Sequence, residues 1–366
     1  MINKTAVFLP RPRHWPPMSP TRKRTARPKP VGLALQGGGS HGAYVWGILD
    51  YLLEDGRLDF EGICGTSAGS VNGVLCAYGL LAGGREGARQ KLDDFWRGVE
   101  GLGAFFNPAA HLPFEDVVPG WPKGSPIALE SLKAIARLLS PYQFNPLNYN
   151  PLRDALERHV DFERLRAGRG TKLFISATNV RTGKGRVFQT HEVTADVVLA
   201  SACLPTMFQA VEIDGDPYWD GGFMGNPVLY PLMYGTDTQD IIIVHINPIE
   251  RPGTPRTPQE IESRMHEITF NASLIKELRA VAFVKKLLER GWIKDEHRGR
   301  LKDVLMHSIR ADEVLRDLSV ASKFDVSAAF LEDLRSRGRE TARAWLEAHW
   351  KDVGKRSSVD VAAEFL

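Results

Sequence analysis

The chain has 366 residues, enough for two domains of ordinary size or for one large domain with an appendage. Hydrophobic residues make up 43% and charged residues 25%, which is typical of a folded soluble protein and excludes wholesale disorder. No apolar run reaches the roughly 18 residues that a membrane-spanning helix needs. The three cysteines, Cys64, Cys76 and Cys203, are too few for a disulfide framework and predict a reducing compartment. No cluster of residues has metal-ligand spacing, so no cofactor is expected.

The net charge of +3 is unevenly distributed. Residues 1–30 contain eight Lys or Arg residues, seven prolines and no acidic residue, so the remaining chain is mildly acidic. Because nucleic-acid binding needs a basic surface on the fold itself, no nucleic acid is expected as a partner. The composition of residues 1–30 predicts a disordered or polyproline-like tail without a secretory signal. This tail either attracts an anionic membrane surface or is a solvated leader without a task.

From residue 31 onward the pattern predicts a parallel α/β sheet. The apolar run 31–35 is followed by a glycine-rich segment and a helix that ends at Gly56. A second apolar run leads into another glycine turn and a helix over residues 71–81. Strand, glycine loop and helix in repeated succession is typical of parallel sheets. Further strands are predicted over residues 173–178 and 241–246.

Four segments are expected along the chain. Residues 1–30 form the tail, residues 31–248 the catalytic α/β domain, and residues 249–366 a mainly helical C-terminal region. An insertion at residues 101–149 is rich in aromatics and proline. It is either a lid or wall of an apolar pocket, or an irregular insertion with its own small core. A proline-rich linker precedes a long amphipathic helix over residues 260–290.

The segment Gly65-x-Ser67-x-Gly69 has the form of a nucleophile elbow. It follows a predicted strand and precedes an apolar helix, which is the placement that this turn requires. A side chain at either glycine would clash with the adjoining strand or helix. The positive end of the following helix favours negative charge near the hydroxyl group. Ser67 is therefore the predicted nucleophile.

The glycine-rich loop has two interpretations. Gly37-x-Gly39-x-x-Gly42 between a strand and a helix fits the dinucleotide-binding fingerprint. That interpretation requires an acidic residue near the end of the next strand, where this chain has the Ser67 turn instead. The alternative is an oxyanion hole, because the consecutive glycines, Gly38 among them, leave backbone N–H groups bare. One such donor is worth about 2.7–4 kcal/mol of transition-state stabilisation.

A serine nucleophile needs a base, and the sequence offers two kinds. One is a histidine that follows Ser67 in the chain, although none lies in a catalytic-loop pattern. The other is Asp220, which is held on the turn Asp220-Gly221-Gly222 and which in isolation is more typical of a capping residue. The histidines that follow Ser67 in unsuitable contexts are His245, His266, His297, His307 and His349.

Three segments of the chain resemble, in order and spacing, the signature blocks of patatin-like phospholipases. They are residues 37–42, 65–69 and 220–222, with support from residues 200–208 and from the Asn226-Pro227 pair. The likeness covers a little over half of the chain. Each motif alone is loose, but the ordered set is specific.

The resemblance implies a three-layer α/β/α patatin-like fold with a mainly parallel central sheet, to which the C-terminal helical region is added. It implies calcium-independent acyl hydrolysis by a Ser–Asp dyad without a catalytic histidine. Ser67 would be the nucleophile and Asp220 the base that accepts its proton. The oxyanion hole would be formed by Gly37, Gly38 and Gly39, and the motif glycines that support these assignments are Gly42, Gly65, Gly69, Gly221 and Gly222.

The chain departs from the family pattern at His41, where the family usually has Arg or Lys. An unperturbed histidine is mostly neutral at pH 7, so we expect the loop to lack a fixed positive charge. That lack would affect recognition of a phosphate headgroup more than ester cleavage. In a simpler interpretation, His41 only packs at the start of the helix.

The expected function is hydrolysis of fatty-acyl esters of lipids through an acyl-enzyme. Because a free Asp titrates near 3.9, we expect burial to raise the proton affinity of Asp220. Two alternatives stay open: a non-catalytic, membrane-recruited binding protein, and an esterase or acyltransferase that acts on a non-phospholipid ester. The expected location is the cytoplasm, with peripheral membrane contact as a further option. The sequence predicts neither the natural ester nor the oligomeric state.

Overall fold

A computed structural model describes residues 27–102, 139–298, 300–318 and 320–365. Most of the predicted tail, residues 1–30, and of the predicted insertion, residues 101–149, therefore lies outside the described residues. Within the described ranges, no helix combines the length and the apolar character that crossing a membrane requires.

The described residues form one mixed sheet of eight strands. The strands are β1 (Lys29–Leu35), β2 (Leu58–Gly65), β3 (Lys172–Asn179), β4 (Gly185–Gln189), β5 (Val211–Ile213), β6 (Asp216–Asp220), β7 (Asp240–Val244) and β8 (Leu305–Ile309). Their order is β5-β6-β3-β2-β1-β7-β8, and β4 also pairs with β3. The run β3-β2-β1-β7-β8 is parallel, whereas β4, β5 and β6 are antiparallel to their partners. The predicted, mainly parallel sheet is thus confirmed.

Helices connect and cover these strands. The α-helices are α1 (Gly42–Asp55), α2 (Ala68–Gly98), α3 (Pro141–Phe144), α4 (Pro151–His159), α5 (Phe162–Ala167), α6 (Ala195–Ser201), α7 (Tyr230–Gly235), α8 (Pro258–Glu289), α9 (Asp295–Arg298), α10 (Ala328–His349) and α11 (Val361–Phe365). Short 3-10 helices occur at Gly39–His41, Val99–Leu102, Thr190–Glu192, Gly221–Phe223 and Val320–Phe324. Helix α1 ends at Gly56, which has a φ of 77°, as the sequence predicts. Helix α2 runs beyond the predicted end at residue 81, because it resumes after a kink at Gly83 and Gly84.

Apolar side chains alternate along the strands and fill both faces of the sheet. Leu33, Leu35 and Ile63 belong to a core that includes α1, α2, α6 and α10. Ala34 and Cys64 belong to a second core that includes α7, α8 and α11. The alternation follows from the two-residue period of a strand, and helices on both faces are typical of parallel sheets. The described chain is therefore a three-layer α/β/α structure.

The C-terminal region packs on the same sheet as the preceding residues. Strand β8 pairs in parallel with β7, and helix α10 packs against α1. The two helices cross where both have a glycine: a Cβ added to Gly47 would overlap the Arg335 carbonyl, and one added to Gly338 would overlap that of Tyr44. Residues on both sides of position 248 thus contribute strands to one sheet and helices to its layers.

The crossing of α1 and α10 predicts a difference between two glycines. Replacing Gly338→Ala should lower the free energy of unfolding by about 1–3 kcal/mol or more, because the new methyl group meets backbone that cannot rotate away. Replacing Gly98→Ala is the matched control, since nothing lies within 4 Å of an added Cβ there. Urea unfolding followed by circular dichroism compares them. Equal midpoints for the two variants would contradict the observed crossing.

Candidate active site

Ser67 lies on a sharp turn between β2 and α2. Its backbone has a φ of 56° and a ψ of −126°, a conformation that residues with a side chain rarely adopt. A Cβ on Gly65 would overlap the Gly69 carbonyl, and a Cβ on Gly69 would overlap the Leu35 carbonyl. The two glycines are thus needed for the steric reason that the sequence predicts, and the turn has the form of a nucleophile elbow.

Strand β3 brings Ser67 and Asp220 together. Strand β2 ends where Gly65 pairs with Ile175 of β3, and β6 ends where Asp220 pairs with Ala177 of the same strand. Strand β4 runs along β3 over both of these positions, so β2 and β6 must share the opposite edge of β3. The parallel strand β2 and the antiparallel strand β6 therefore approach each other end to end. Their adjoining turns carry the two residues.

The Asp220 carboxyl group is completely buried. Its Oδ1 accepts a hydrogen bond of 2.7 Å from the Gly222 N–H, whereas its Oδ2 has no hydrogen-bond partner among the described residues. Burial raises the pKa of Asp220 from 3.8 to about 7. The Gly222 N–H, the Ser67 hydroxyl and the Lys323 charge each lower this pKa by a smaller amount. Ser67 thus lies close enough to influence the carboxyl without completing a hydrogen bond to Oδ2. Such contacts often tighten only when substrate is bound.

The three loop glycines differ in their surroundings. A Cβ on Gly37 would overlap the side chain of Ser67, and the Gly37 N–H donates a 2.7 Å hydrogen bond to Asn226 Oδ1. Gly39 has a φ of 60°, and an added Cβ would overlap the Lys323 carbonyl. The N–H groups of Gly38 and Gly39 have no acceptor among the described residues. Gly38 and Gly39, and not Gly37, therefore have donors available for a ligand.

Hydrogen bonds from buried side-chain amides fix the position of this loop. Gln36 Oε1 accepts from the N–H groups of Ile246 and Asn247, at 2.8 and 3.0 Å. Asn247 Nδ2 donates to the Gly37 carbonyl at 2.9 Å. Gln36 Nε2 donates in turn to Asn271 Oδ1 at 3.1 Å. No motif in the sequence marks Gln36, Asn247 or Asn271, although the place of Gln36 directly before the glycines is a usable signal.

Ser201 is another residue that the sequence analysis did not single out. It is the last residue of α6, and its Oγ accepts a 3.0 Å hydrogen bond from the Ser67 N–H. Ser201 belongs to residues 200–208, which the family resemblance already marks. The bond fixes the backbone of the turn and leaves the Ser67 hydroxyl to face Asp220.

None of the histidines considered as alternative bases hydrogen-bonds to Ser67 in the described structure. His307 lies at the opposite edge of the sheet, where Nε2 contacts Asp240 Oδ1 at 2.9 Å and Nδ1 contacts Ser358 Oγ at 3.0 Å. This second set of Ser, His and Asp is far along β7 from the glycine loop, because Asp240 begins that strand. His245 is buried against Phe365, on the other face of the sheet. The arrangement therefore leaves Asp220 as the group that faces Ser67.

A mostly apolar cavity opens in front of Ser67. Its lining combines the glycine loop, α2 and the 3-10 helix after it, α4, and two segments at residues 202–208 and 323–326. The lining residues are Gly39, Ser40, Ser67, Ala68, Val71, Phe95, Trp96, Val99, Leu152, Ala202, Leu204, Met207, Phe208, Lys323, Phe324 and Val326. Burial lowers the pKa of His41 to about 3, so this side chain is neutral at pH 7 as expected. The expectation that the loop lacks a positive charge is wrong, however, because Lys323 of the C-terminal region lines the same cavity.

A larger cavity lies on the other face of the sheet, between β3, β4, α7 and α8. It measures about 380 Å³, against about 90 Å³ for the cavity at Ser67, and neither Ser67 nor Asp220 lines it. Size alone therefore does not identify the reactive site. Over the described residues, no group of three or more His, Cys, Asp or Glu side chains is placed to hold a metal ion.

The fold and the Ser67 turn define a three-layer α/β/α protein with a serine-bearing elbow at the carboxyl edge of its sheet. The sequence model of the family described as "Patatin-like phospholipase" matches residues 33–233, more than half of the chain. The chain belongs to this family, and at the family level it is a lipid acyl hydrolase. The crystal structure of VipD from Legionella pneumophila is similar with 15% identity and a TM-score of 0.35, over 88% of this chain and 67% of that one. No curated protein gives a significant match.

The buried carboxyl group predicts a cost to stability that depends on pH. The pKa of Asp220 is about 7 in the folded protein and 3.8 for a free side chain. The free energy of unfolding should therefore fall by on the order of 4 kcal/mol as the pH rises from the lower of these values to the higher. Asp220→Asn does not titrate and keeps an acceptor for the Gly222 N–H. This variant should unfold at a higher temperature than the wild type at pH 8, with a smaller difference at pH 5.

The matched control is Asp59→Asn, which changes an exposed carboxyl in β2. Its unfolding temperature should follow that of the wild type at both pH values. An Asp220→Asn protein that is less stable than the wild type at pH 8 would show that burial does not disfavour the carboxylate.

Proposed function

We propose that the protein hydrolyses fatty-acyl esters of lipids through a Ser67–Asp220 dyad and a covalent acyl-enzyme. One observation carries the proposal: a strained serine and a buried carboxyl with a pKa of about 7 share one edge of the sheet. A base with a pKa near the working pH is present partly as carboxylate and still binds a proton well. Family membership supports the same reaction class.

In the first half-reaction, the Asp220 carboxylate takes the proton of the Ser67 hydroxyl while Ser67 Oγ bonds to the ester carbonyl carbon. The carbonyl oxygen becomes an oxyanion. The N–H groups of Gly38 and Gly39 would bind it, since neither has an acceptor in the described structure. The bond to the alcohol then breaks, and the proton on Asp220 passes to the leaving oxygen.

In the second half-reaction, Asp220 takes a proton from water, whose oxygen attacks the acyl carbonyl. Collapse of the second tetrahedral intermediate breaks the bond to Ser67 and releases the fatty acid. The proton returns from Asp220 to Ser67 Oγ. The same donors of the glycine loop serve both intermediates, so the cycle needs no further group.

The lining of the cavity supports a lipid as substrate. Side chains from α2 (Val71 and Phe95), from the 3-10 helix after it (Val99) and from the segment after α6 (Leu204 and Met207) present apolar surface beside Ser67. Removing a hydrocarbon chain from water into such a cavity is favourable by about 0.8 kcal/mol per methylene group. A fatty-acyl chain is therefore the ester component that fits this side of the site.

Replacing Ser67→Ala should abolish both hydrolysis of a nitrophenyl acyl ester and labelling by a fluorophosphonate probe, because it removes the hydroxyl group that Asp220 would deprotonate. Mass spectrometry of the labelled wild type should place the probe on Ser67. Asp220→Asn should lower kcat by roughly 10²–10⁴-fold, the usual effect of losing a general base.

Ser358→Ala is the matched control, since Ser358 contacts His307 in the other Ser, His and Asp set. It should keep labelling and turnover. Labelling that survives in Ser67→Ala but disappears in Ser358→Ala would move the reaction to the opposite edge of the sheet. If the wild type shows neither labelling nor turnover on a panel of phospholipid, lysophospholipid and neutral glyceride, the protein is a binding protein instead.

A further inference from the structure

A short segment of the C-terminal region, the 3-10 helix Val320–Phe324, docks on the glycine loop. The Ser40 hydroxyl donates to the Ser322 carbonyl at 2.9 Å, and His41 Nε2 lies 2.8 Å from Ser322 Oγ. The Lys323 carbonyl occupies the space that a side chain at Gly39 would fill. This segment lies beyond residue 233, where the family match ends, yet it forms one wall of the cavity at Ser67.

The Lys323 side chain turns inward and joins the amides behind the loop. Its Nζ donates a 2.7 Å hydrogen bond to Asn247 Oδ1, and Asn247 Nδ2 donates to the Gly37 carbonyl. The residue as a whole is half-buried, but its ammonium group is desolvated, which lowers the pKa of Lys323 to about 8. At pH 7 it is therefore still mostly a cation.

Four titratable or charged groups face this ammonium ion from the elements around it. Asp220 and Lys323 each favour the charged form of the other. Glu267 of α8 also favours the cation, and Arg251 opposes it while paired with Glu267 at 2.7 Å. His41 is neutral over the working range, because its pKa lies near 3. Asp220 is thus the member of this group that a catalytic step uses.

We propose that Lys323 is a positioning residue of the Ser67 site: its hydrogen bond to Asn247 holds the glycine loop, and its ammonium ion places a positive charge in the cavity at Ser67 that attracts the Asp220 carboxylate. This inference rests on the proposed function. It makes the C-terminal region a necessary part of the reactive centre rather than a covering layer. Lys323 acts through Asp220 and Asn247 and forms no bond to the substrate.

The test is the pH profile of kcat/KM for a soluble nitrophenyl ester, measured on the full chain. In the wild type, activity should rise through about pH 7 as Asp220 ionises and fall through about pH 8 as Lys323 loses its proton. In Lys323→Met the fall on the alkaline side should disappear. The rise should move to higher pH, because the cation that favours the Asp220 carboxylate is gone, and activity at pH 7 should drop severalfold.

Three further variants distinguish the effect of the Lys323 charge from the effect of its hydrogen bond to Asn247. Lys323→Arg should keep the acid side of the wild-type profile and move the alkaline side upward, since a guanidinium group stays protonated. Asn247→Ala should lower kcat and leave the acid side of the profile in place, because the ammonium ion that acts on Asp220 remains. Lys351→Met, which removes an exposed lysine of the same region, should behave as the wild type.

If the kcat/KM of Lys323→Met rises and falls at the same pH values as that of the wild type, the proposal is wrong. It is also wrong if Asn247→Ala shows the same changes in pH dependence as Lys323→Met. If Lys323→Met turns over no ester, the pH dependence of its fluorophosphonate labelling at Ser67 is read by the same criteria. A wild type that is itself inactive and unlabelled would refute the proposed function, which is a distinct result.

Discussion

The Asp220 carboxyl is buried, and its Oδ2 lacks a hydrogen bond among the described residues; the proposed dyad with Ser67 depends on this incomplete hydrogen bonding. A fully solvated or fully hydrogen-bonded carboxylate would hold its proton too weakly to act as a base at neutral pH. The burial follows from strand register, because β2 and β6 meet end to end along one edge of β3. The proposed base is therefore a consequence of strand topology.

The glycine loop complements this carboxyl because its backbone is held in place without using the N–H groups of Gly38 and Gly39. Asn226 and Asn247 take the N–H and the carbonyl of Gly37, so the loop is held at one residue. The next two N–H groups stay available at the cavity. Held this way, the donors need little rearrangement when an oxyanion forms, which is the condition under which such donors are most effective.

Local signals in the sequence identify the parts of the site that depend on local geometry. The glycines around Ser67 and the Asp220 turn can be predicted from the sequence because each satisfies a steric requirement within a few residues. The strands β1, β2 and β7 can be predicted because they contain apolar runs. Strands β6 and β8 are short and pair with strands that are distant in the chain, β3 and β7, whereas the short β5 pairs with its sequence neighbour β6. Lys323 is a similar case: it reaches the loop from more than 280 residues away in sequence, through packing that no motif records.

Asp220 should titrate near pH 7 in the folded protein, and infrared difference spectroscopy measures this titration directly. With isotope-labelled aspartate, we expect a protonated carboxyl band at pH 5.5 that disappears with a midpoint near pH 7 and that is missing from Asp220→Asn. A spectrum in which every aspartate is already ionised at pH 5.5 would contradict it.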